Sequence, residues 1–413
     1  MVRCLNRFIC VVSDEVELVF RCYDKMRVAM LSVGYPPYVF GGVETYVSLL
    51  SNELSKNGIE TTVIAGWPGK HVSREDIRSN LKVIRLPIPD YPVRFVWYQL
   101  FNRTGIMKLL NSADLVHTNS PQSSILSSAI ARVKPLVTTL HGSIQAITTY
   151  KHARNPNLLS PGDLFYMMEY PLIRNWYLKD LSHSQLLIAA AEHVKNEAIE
   201  YSHDNSARVA SKTEVVYPGV DLEQINQVHT ELSESDGVEI AFIGRLFFPK
   251  GITHTLQVLN LLVNEMGQRK VKLHVFGSGP LSNWIQQYAK KKKLNDNLVV
   301  HGQVKRSLLL AMLGSMHVVL LPSLYEGCPY AVVEANSIGV PVVSFDFPWS
   351  REFITNGVNG YRSSPFDTRQ LAENVVKAVR LKGAKIKVGV EKYSIRETAK
   401  KTIALYKRLL ENK

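Results

Sequence analysis

Met26–Val33 reads MRVAMLSV, a short apolar run rich in strand formers, and the residues after it narrow the fold sharply. A glycine-containing loop, GYPPYVFGG, leads into VETYVSLLSNELSKNG. There Val43, Val47, Leu50 and Leu54 recur at helical spacing, and Gly58 supplies a stop. TTVIA then reads as another strand. The segment is a β-α-β unit, in which the helix must cover the face of a parallel sheet.

The plan returns later in the chain. VEIAFI (238–243) predicts a strand, GRLFFPKG a loop, ITHTLQVLNLLVNEM a helix and KLHVFG a strand again. Further strand candidates are ADLVHT, PLVTTL and QLLIAA in the first half, then NLVVHG, MHVVLLP and PVVSF. At 413 residues the chain can build two cores. The expected fold is α/β: two tandem doubly wound, Rossmann-like domains facing each other across an interdomain cleft, with ligands at the carboxyl ends of the strands. The polar stretch TELSESDG, near 222–237, suits the boundary. The expected division is an N-terminal extension at 1–25, a first domain at 26–225, a second at 226–395 and a C-terminal helix at 396–413 able to cross back. Residues 1–25 either add a hairpin or precede the true start.

Charge is unevenly spread. Residues 1–225 hold 23 Lys/Arg against 21 Asp/Glu, whereas 226–413 hold 26 against 15. The second half therefore favours an anionic partner, and no nucleic-acid motif accompanies the charge. The four cysteines form no CxxC pair, so neither a zinc site nor a disulfide framework is expected, and a reducing cytoplasm is the natural setting. Arg3, Arg7 and FICVV resemble the start of a signal peptide, but Asp14, Glu15 and Glu17 interrupt the run. No stretch approaches the roughly 18 apolar residues of a membrane span, so any membrane work is expected at the surface.

Several side chains could carry chemistry. In LYEGCPYAVVEA, Glu326 precedes a helix whose first turn suits Pro329, and Glu334 lies in its second turn. The helical rise puts roughly 7–8 Å between Pro329 and Glu334 along the axis. The two carboxylates are therefore either contacts for two ends of one extended, hydroxyl-bearing ligand or solvated groups around a buried helix. Arg245 and Lys250, in the loop after a strand, could converge on a diphosphate and stabilise its departure as a metal would, or be surface charges. The chain has no DxD, which fits metal-free chemistry. Gly41 and Gly42 stand at the mouth of the first helix, and Gly277 and Gly279 lie in VFGSGP without completing GxGxxG. His141 follows the strand TTL, facing the cleft or serving structure.

Taken in order, GGVE, HG, GRL…PKG, GSGP and E-x7-E resemble the GT-B retaining glycosyltransferases of the large GT4 family, over about residues 26–410. YPGVD and REFITNGVNGY look like that family too. The resemblance implies a nucleotide-sugar donor in the second domain. Arg245 and Lys250 would hold its diphosphate, Glu326 the sugar hydroxyls and Glu334 the ribose. The amides after Gly327 would face the donor, with Cys328, Pro329 and Tyr330 in its pocket beside Gly277 and Gly279. Gly41 and Gly42 would sit near phosphates or acceptor, and His141 beside the reacting sugar, placing it. No metal and no cofactor are implied, and the leaving phosphate takes the acceptor proton.

The acceptor side is less defined. Val93–Leu110 and Leu164–Leu178 mix aromatics with basic residues, either as a membrane- or lipid-facing surface or as packed helices. Lys290–Lys293 suits a helix C-terminus. The expectation is a cytoplasmic enzyme, peripheral on an anionic membrane, moving a hexose to a glycan, polysaccharide or lipid-linked acceptor. A nucleotide-sugar epimerase or phosphorylase, or a non-catalytic sugar-nucleotide binder, are the rival readings.

Overall fold

The computed structural model describes residues 26–411 apart from 39–40, 68, 70–71, 89–93, 122–123, 143, 154–157, 228–235, 384–385 and 387–388. The N-terminal extension, Phe40, Val93 and most of the polar boundary stretch lie outside the described residues.

The first sheet contains β1 (Arg27–Leu31), β2 (Glu60–Trp67), β3 (Glu75–Arg78), β4 (Leu81–Pro87), β5 (Leu115–Ser120), β6 (Leu136–Leu140), β7 (Leu186–Ala189) and β8 (Thr213–Val215). Their order is β3-β4-β2-β1-β5-β6-β7-β8. All pairs are parallel except β3 with β4. The second contains β9 (Val238–Ile243), β10 (Val271–Phe276), β11 (Leu298–Gly302), β12 (Val318–Leu320), β13 (Val342–Phe345) and β14 (Gly360–Ser363). It runs β11-β10-β9-β12-β13-β14 and is wholly parallel. Among the parallel strands each order reverses once, at β1/β5 and at β9/β12. These switch points are where a doubly wound sheet opens a crevice for a ligand.

Side-chain alternation explains the layering. On β1, Val28 and Met30 join Tyr46, Val47, Leu50 and Leu54 of the Gly42–Lys56 helix, while Ala29 and Leu31 pack with Tyr98, Ile106 and Leu110 on the other face. β9 divides likewise, Ile240 and Phe242 facing one cluster and Ala241 the other. That last cluster also takes in Leu140, Ile173 and Tyr177, so one core is continuous across both domains.

The final helix, Ile395–Glu411, packs on the first domain, with Ile395, Ala399 and Tyr406 beside Val28 and Met30. The crossing is tied at Val220, whose N–H donates to the Tyr393 carbonyl (2.8 Å) and whose carbonyl accepts from Ile395 N–H (2.9 Å).

The two ambiguous segments form helices with one side buried and the other exposed. Tyr98, Ile106, Ile173 and Tyr177 are buried, while Trp97, Leu100, Phe101, Met168 and Leu172 stand exposed on the same helices. Lys290–Lys293 is a solvated helix end. No helix among the described residues is long and apolar enough to cross a membrane.

At the crossing, a Cβ on Gly219 would stand 2.4 Å from Ile395 N. Gly219→Ala should therefore destabilise the protein by about 1–3 kcal/mol through local overpacking, read as a lower urea midpoint.

Candidate functional site

Two loops leave the switch point of the second sheet and are stitched together. Gly251, after the β9 loop, is left-handed (φ 76°), and a Cβ there would lie 2.1 Å from the Pro322 carbonyl beyond β12. Leu324 N–H donates to the Pro249 carbonyl at 2.9 Å. This seam aims Lys250 at Glu326: Nζ lies 2.6 Å from both Oε1 and Oε2. Both side chains are mostly withdrawn from water, at 23% and 12% exposure. Arg245 shares the loop but not the contact. Its guanidinium is exposed, stacked 4.6 Å above the Phe247 ring, with no hydrogen bond or ion pair among the described residues. Two neighbouring cations repel, so each takes its own partner.

Gly277 and Gly279 have a packing reason to be glycine. A Cβ on Gly277 would lie 1.9 Å from the Gly244 carbonyl, and one on Gly279 would lie 2.6 Å from that of Leu246.

The helix Tyr330–Ile338 starts one residue later than the sequence suggested, with Pro329 as its N-cap. Glu334 is buried on it, and Oε1 lies 2.6 Å from Arg306 Nη2, a contact off the hydrogen-bond line. Burial raises the Glu334 carboxyl above its ordinary range, and the Arg306 charge partly offsets this. Arg306 Nε and Tyr330 Oη are buried without hydrogen-bond partners among the described residues. Each glutamate of the E-x7-E pair thus already faces a base. Arg306, in the segment VKRSLL, was not singled out in the sequence because nothing in its local pattern distinguishes it from a solvated helix start. Cys328 does not point where expected: its Sγ faces the Pro218 carbonyl, at 3.9 Å, in the segment joining the domains. Burial pushes its thiol well above the ordinary range.

The first domain supplies the opposite wall. A Cβ on Gly327 would stand 1.6 Å from the His141 carbonyl, so only glycine lets the two backbones meet here. Gly42 faces the Tyr330 ring, which a Cβ would meet at 3.5 Å. Gly41 N–H donates to Glu44 Oε2 (2.9 Å), closing the helix N-terminus. His141 Nε2 lies 2.7 Å from Asn119 Oδ1, and Asn119 Nδ2 donates to the Leu31 carbonyl. The amide is thereby oriented, and Nε2 must carry the proton. Burial pushes the imidazole down to about 3, so the ring is neutral, and Nδ1 has no hydrogen-bond partner among the described residues. The structure therefore gathers His141, Glu326, Gly327, Lys250, Tyr330 and Gly42 at one cleft, with Glu334 behind them.

A latch holds the walls together. Glu352 of the second domain accepts from the Glu192 and His193 amides and from His193 Nδ1 (2.9 Å), while His193 Nε2 donates to the Glu326 carbonyl (2.9 Å). Both His193 ring nitrogens thus lie against oxygens of the second domain. Tyr325 Oη adds a bond to Glu197 (2.8 Å). Burial tends to raise the Glu352 carboxyl, but the His193, Glu192 and Tyr217 donors outweigh it and leave it below its ordinary 4.5.

Two family models match: "Glycosyltransferase Family 4" over residues 40–224 and "Glycosyl transferases group 1" over 224–394. Among curated proteins, the chain is 24% identical to an uncharacterized glycosyltransferase of Methanocaldococcus jannaschii, covering 94% of this chain and 99% of that one. It is 24% identical to a glycogen synthase of Mycobacterium tuberculosis, over 85% of each. Among solved structures, sucrose-phosphate synthase from Thermosynechococcus elongatus superposes with TM-score 0.76 at 17% identity, covering 94% and 100% of the two chains. Anabaena HepE in complex with UDP and glucose superposes at 0.67 and 15% identity, covering 93% and 100%.

A depressed carboxyl contributes stability above its unfolded value, and loses it as pH falls through the folded one. Glu352→Gln should therefore melt lower than the native protein at neutral pH. The gap should close as pH drops well below 4.5, measured by thermal melts across pH.

Proposed function

Because the chain belongs to the GT-B glycosyltransferases of the family 4 type, we propose that it moves a hexose from a nucleoside-diphosphate sugar to a glycan or lipid-linked acceptor, with retention and without a metal. The observation that carries this reading is the Lys250–Glu326 pair, set at a switch point next to Gly327, which packs on the His141 carbonyl of the other domain. HepE, with UDP-glucose or with UDP and glucose, and an Escherichia coli trehalose-6-phosphate protein bound to UDP-2-fluoro glucose are similar folds whose solved complexes support a nucleotide-sugar donor.

In this proposal the donor diphosphate displaces Glu326 from Lys250. The cation then stabilises the departing phosphate. The released carboxylate accepts from the sugar hydroxyls. Arg245, on the same loop, swings from Phe247 onto the second phosphate. Glu334 meets the ribose while Arg306 keeps its buried charge balanced. The orphan Tyr330 hydroxyl and Arg306 Nε support a polar occupant at that place, since buried polar atoms rarely stay unpaired. His141 presents an unprotonated Nδ1 that can accept from a sugar hydroxyl and so place the ring, and the leaving phosphate takes the acceptor proton.

No observation favours the epimerase, phosphorylase or pure binding readings. Peripheral attachment to an anionic membrane is supported by the exposed Leu100, Phe101, Met168 and Leu172 of the first domain, with Arg103 and Arg174 two positions further along the chain from Phe101 and Leu172. Sedimentation with anionic vesicles should exceed that with neutral ones and fall when Phe101 and Met168 are replaced by serine.

A panel of UDP-glucose, UDP-N-acetylglucosamine, GDP-mannose and ADP-glucose should reveal one donor that is transferred or slowly hydrolysed, with EDTA present and the product anomer read by NMR. Lys250→Ala should lower kcat by roughly 100- to 1,000-fold, as expected for losing leaving-group stabilisation. Near-native turnover in that variant would remove the assigned role.

A further inference from the structure

Behind His141 runs a chain of buried polar side chains that the catalytic reading does not use. Tyr46, on the Gly42–Lys56 helix, meets the His141 ring edge-on, with centroids 4.7 Å apart and planes at 75°. Tyr46 Oη lies 3.2 Å from Thr139 Oγ1 on β6. Thr139 Oγ1 lies 2.6 Å from His117 Nε2 on β5. His117 Nδ1 in turn bonds the hydroxyl of Tyr406, on the C-terminal helix. The exposures are 1% for Tyr46 and 0% for His117, Thr139 and Tyr406. Burial, and secondarily the nearby His141, pushes the His117 imidazole down to about 3.

These positions could all have been apolar. They lie in a core otherwise built mainly of aliphatic side chains, where an unpaired polar atom is costly. A neutral imidazole donates from one nitrogen and accepts at the other, so the line has a continuous hydrogen-bond direction and a defined geometry. Its residues also sit where they can act on one target. His117 and Asn119 are two apart on β5 and so share a face. Asn119 grips His141 at Nε2, and the chain from His117 fixes the ring that packs against it.

We propose that Tyr406, His117, Thr139 and Tyr46 are positioning residues for His141. Through them, the C-terminal helix sets the orientation of the histidine that faces the reacting sugar. The proposal rests on the reading of His141 as the group that places that sugar. It explains why the crossing helix carries a hydroxyl, and not only apolar side chains, into the first domain: Tyr406→Phe would keep the packing and lose the orientation.

The test uses the full-length protein and the Tyr406→Phe, Tyr46→Phe and His141→Ala variants, singly and combined. Activity is release of nucleoside diphosphate from whichever of UDP-glucose, UDP-N-acetylglucosamine, GDP-mannose and ADP-glucose the native protein turns over, normalised to the folded fraction. Tyr406→Phe should lower kcat roughly 10- to 100-fold, the scale of a misplaced group far from the chemistry, with the donor KM within about twofold. Tyr46→Phe should act alike, and the double variant should be no worse than the poorer single, since both cut one line. In a His141→Ala background, Tyr406→Phe should cost nothing further. Without added sugar, Tyr406→Phe should also shift the His141 ring nitrogens in 15N NMR. Native activity in Tyr406→Phe, or an equal loss with and without His141, would overturn the proposal. A fully active His141→Ala would instead overturn the reading it rests on.

Discussion

A lysine with both oxygens of one carboxylate at 2.6 Å, the two partly sheltered from water, is the contact around which the cleft is organised. Such a pair is strong enough to hold two loops in register, yet open enough to exchange partners with an incoming anion. It forms only because Gly251 lets the β9 loop turn against Pro322. The same seam brings the residues after β12 up to the first domain. The pair therefore links the internal order of the second domain to the geometry between domains.

Where the domains meet, glycines let the two walls approach closely. Gly327 lies against the His141 carbonyl, Gly142 against Tyr325 and Gly42 against Tyr330. Around these thin points, His193 and Glu352 add a charged latch, and Glu352 also satisfies amides at the N-terminus of the Glu192–Tyr201 helix. Backbone approach and this latch add to the apolar core that runs through both domains. That suits a cleft whose two walls act on one ligand.

The returning helix makes the walls interdependent in a second way. Ile395–Glu411 belongs to the end of the chain but completes the core under β1, and Tyr406 reaches His117 there. The cleft is thus supported from behind by a segment that begins at the domain crossing.

Much of this was legible in the linear chain. Interior strands such as TTVIA, PLVTTL, VEIAFI and PVVSF announce themselves because both faces are buried and nearly every residue is apolar or β-branched. The edge strands β3 (EDIR), β8 (TEV) and β14 (GYRS) do not, being short and mostly polar, whereas β11 (LVVHG), also at an edge, is marked by its apolar run, and the interior β4 (LKVIRLP) is obscured by its charged residues. The E-x7-E block and the PKG loop could be marked as site residues because their spacing is local. What pairs with them could not: Arg306 beside Glu334, Glu352 beside His193 and Tyr406 beside His117 are joined only by folding. The sequence by itself determined two parallel-sheet domains and marked the loops that carry Lys250, Glu326 and His141, because periodicity and loop chemistry are properties of neighbours along the chain. Only the tertiary structure decided which charges meet, which way Cys328 points and what holds His141, because those depend on contacts between residues tens or hundreds of positions apart.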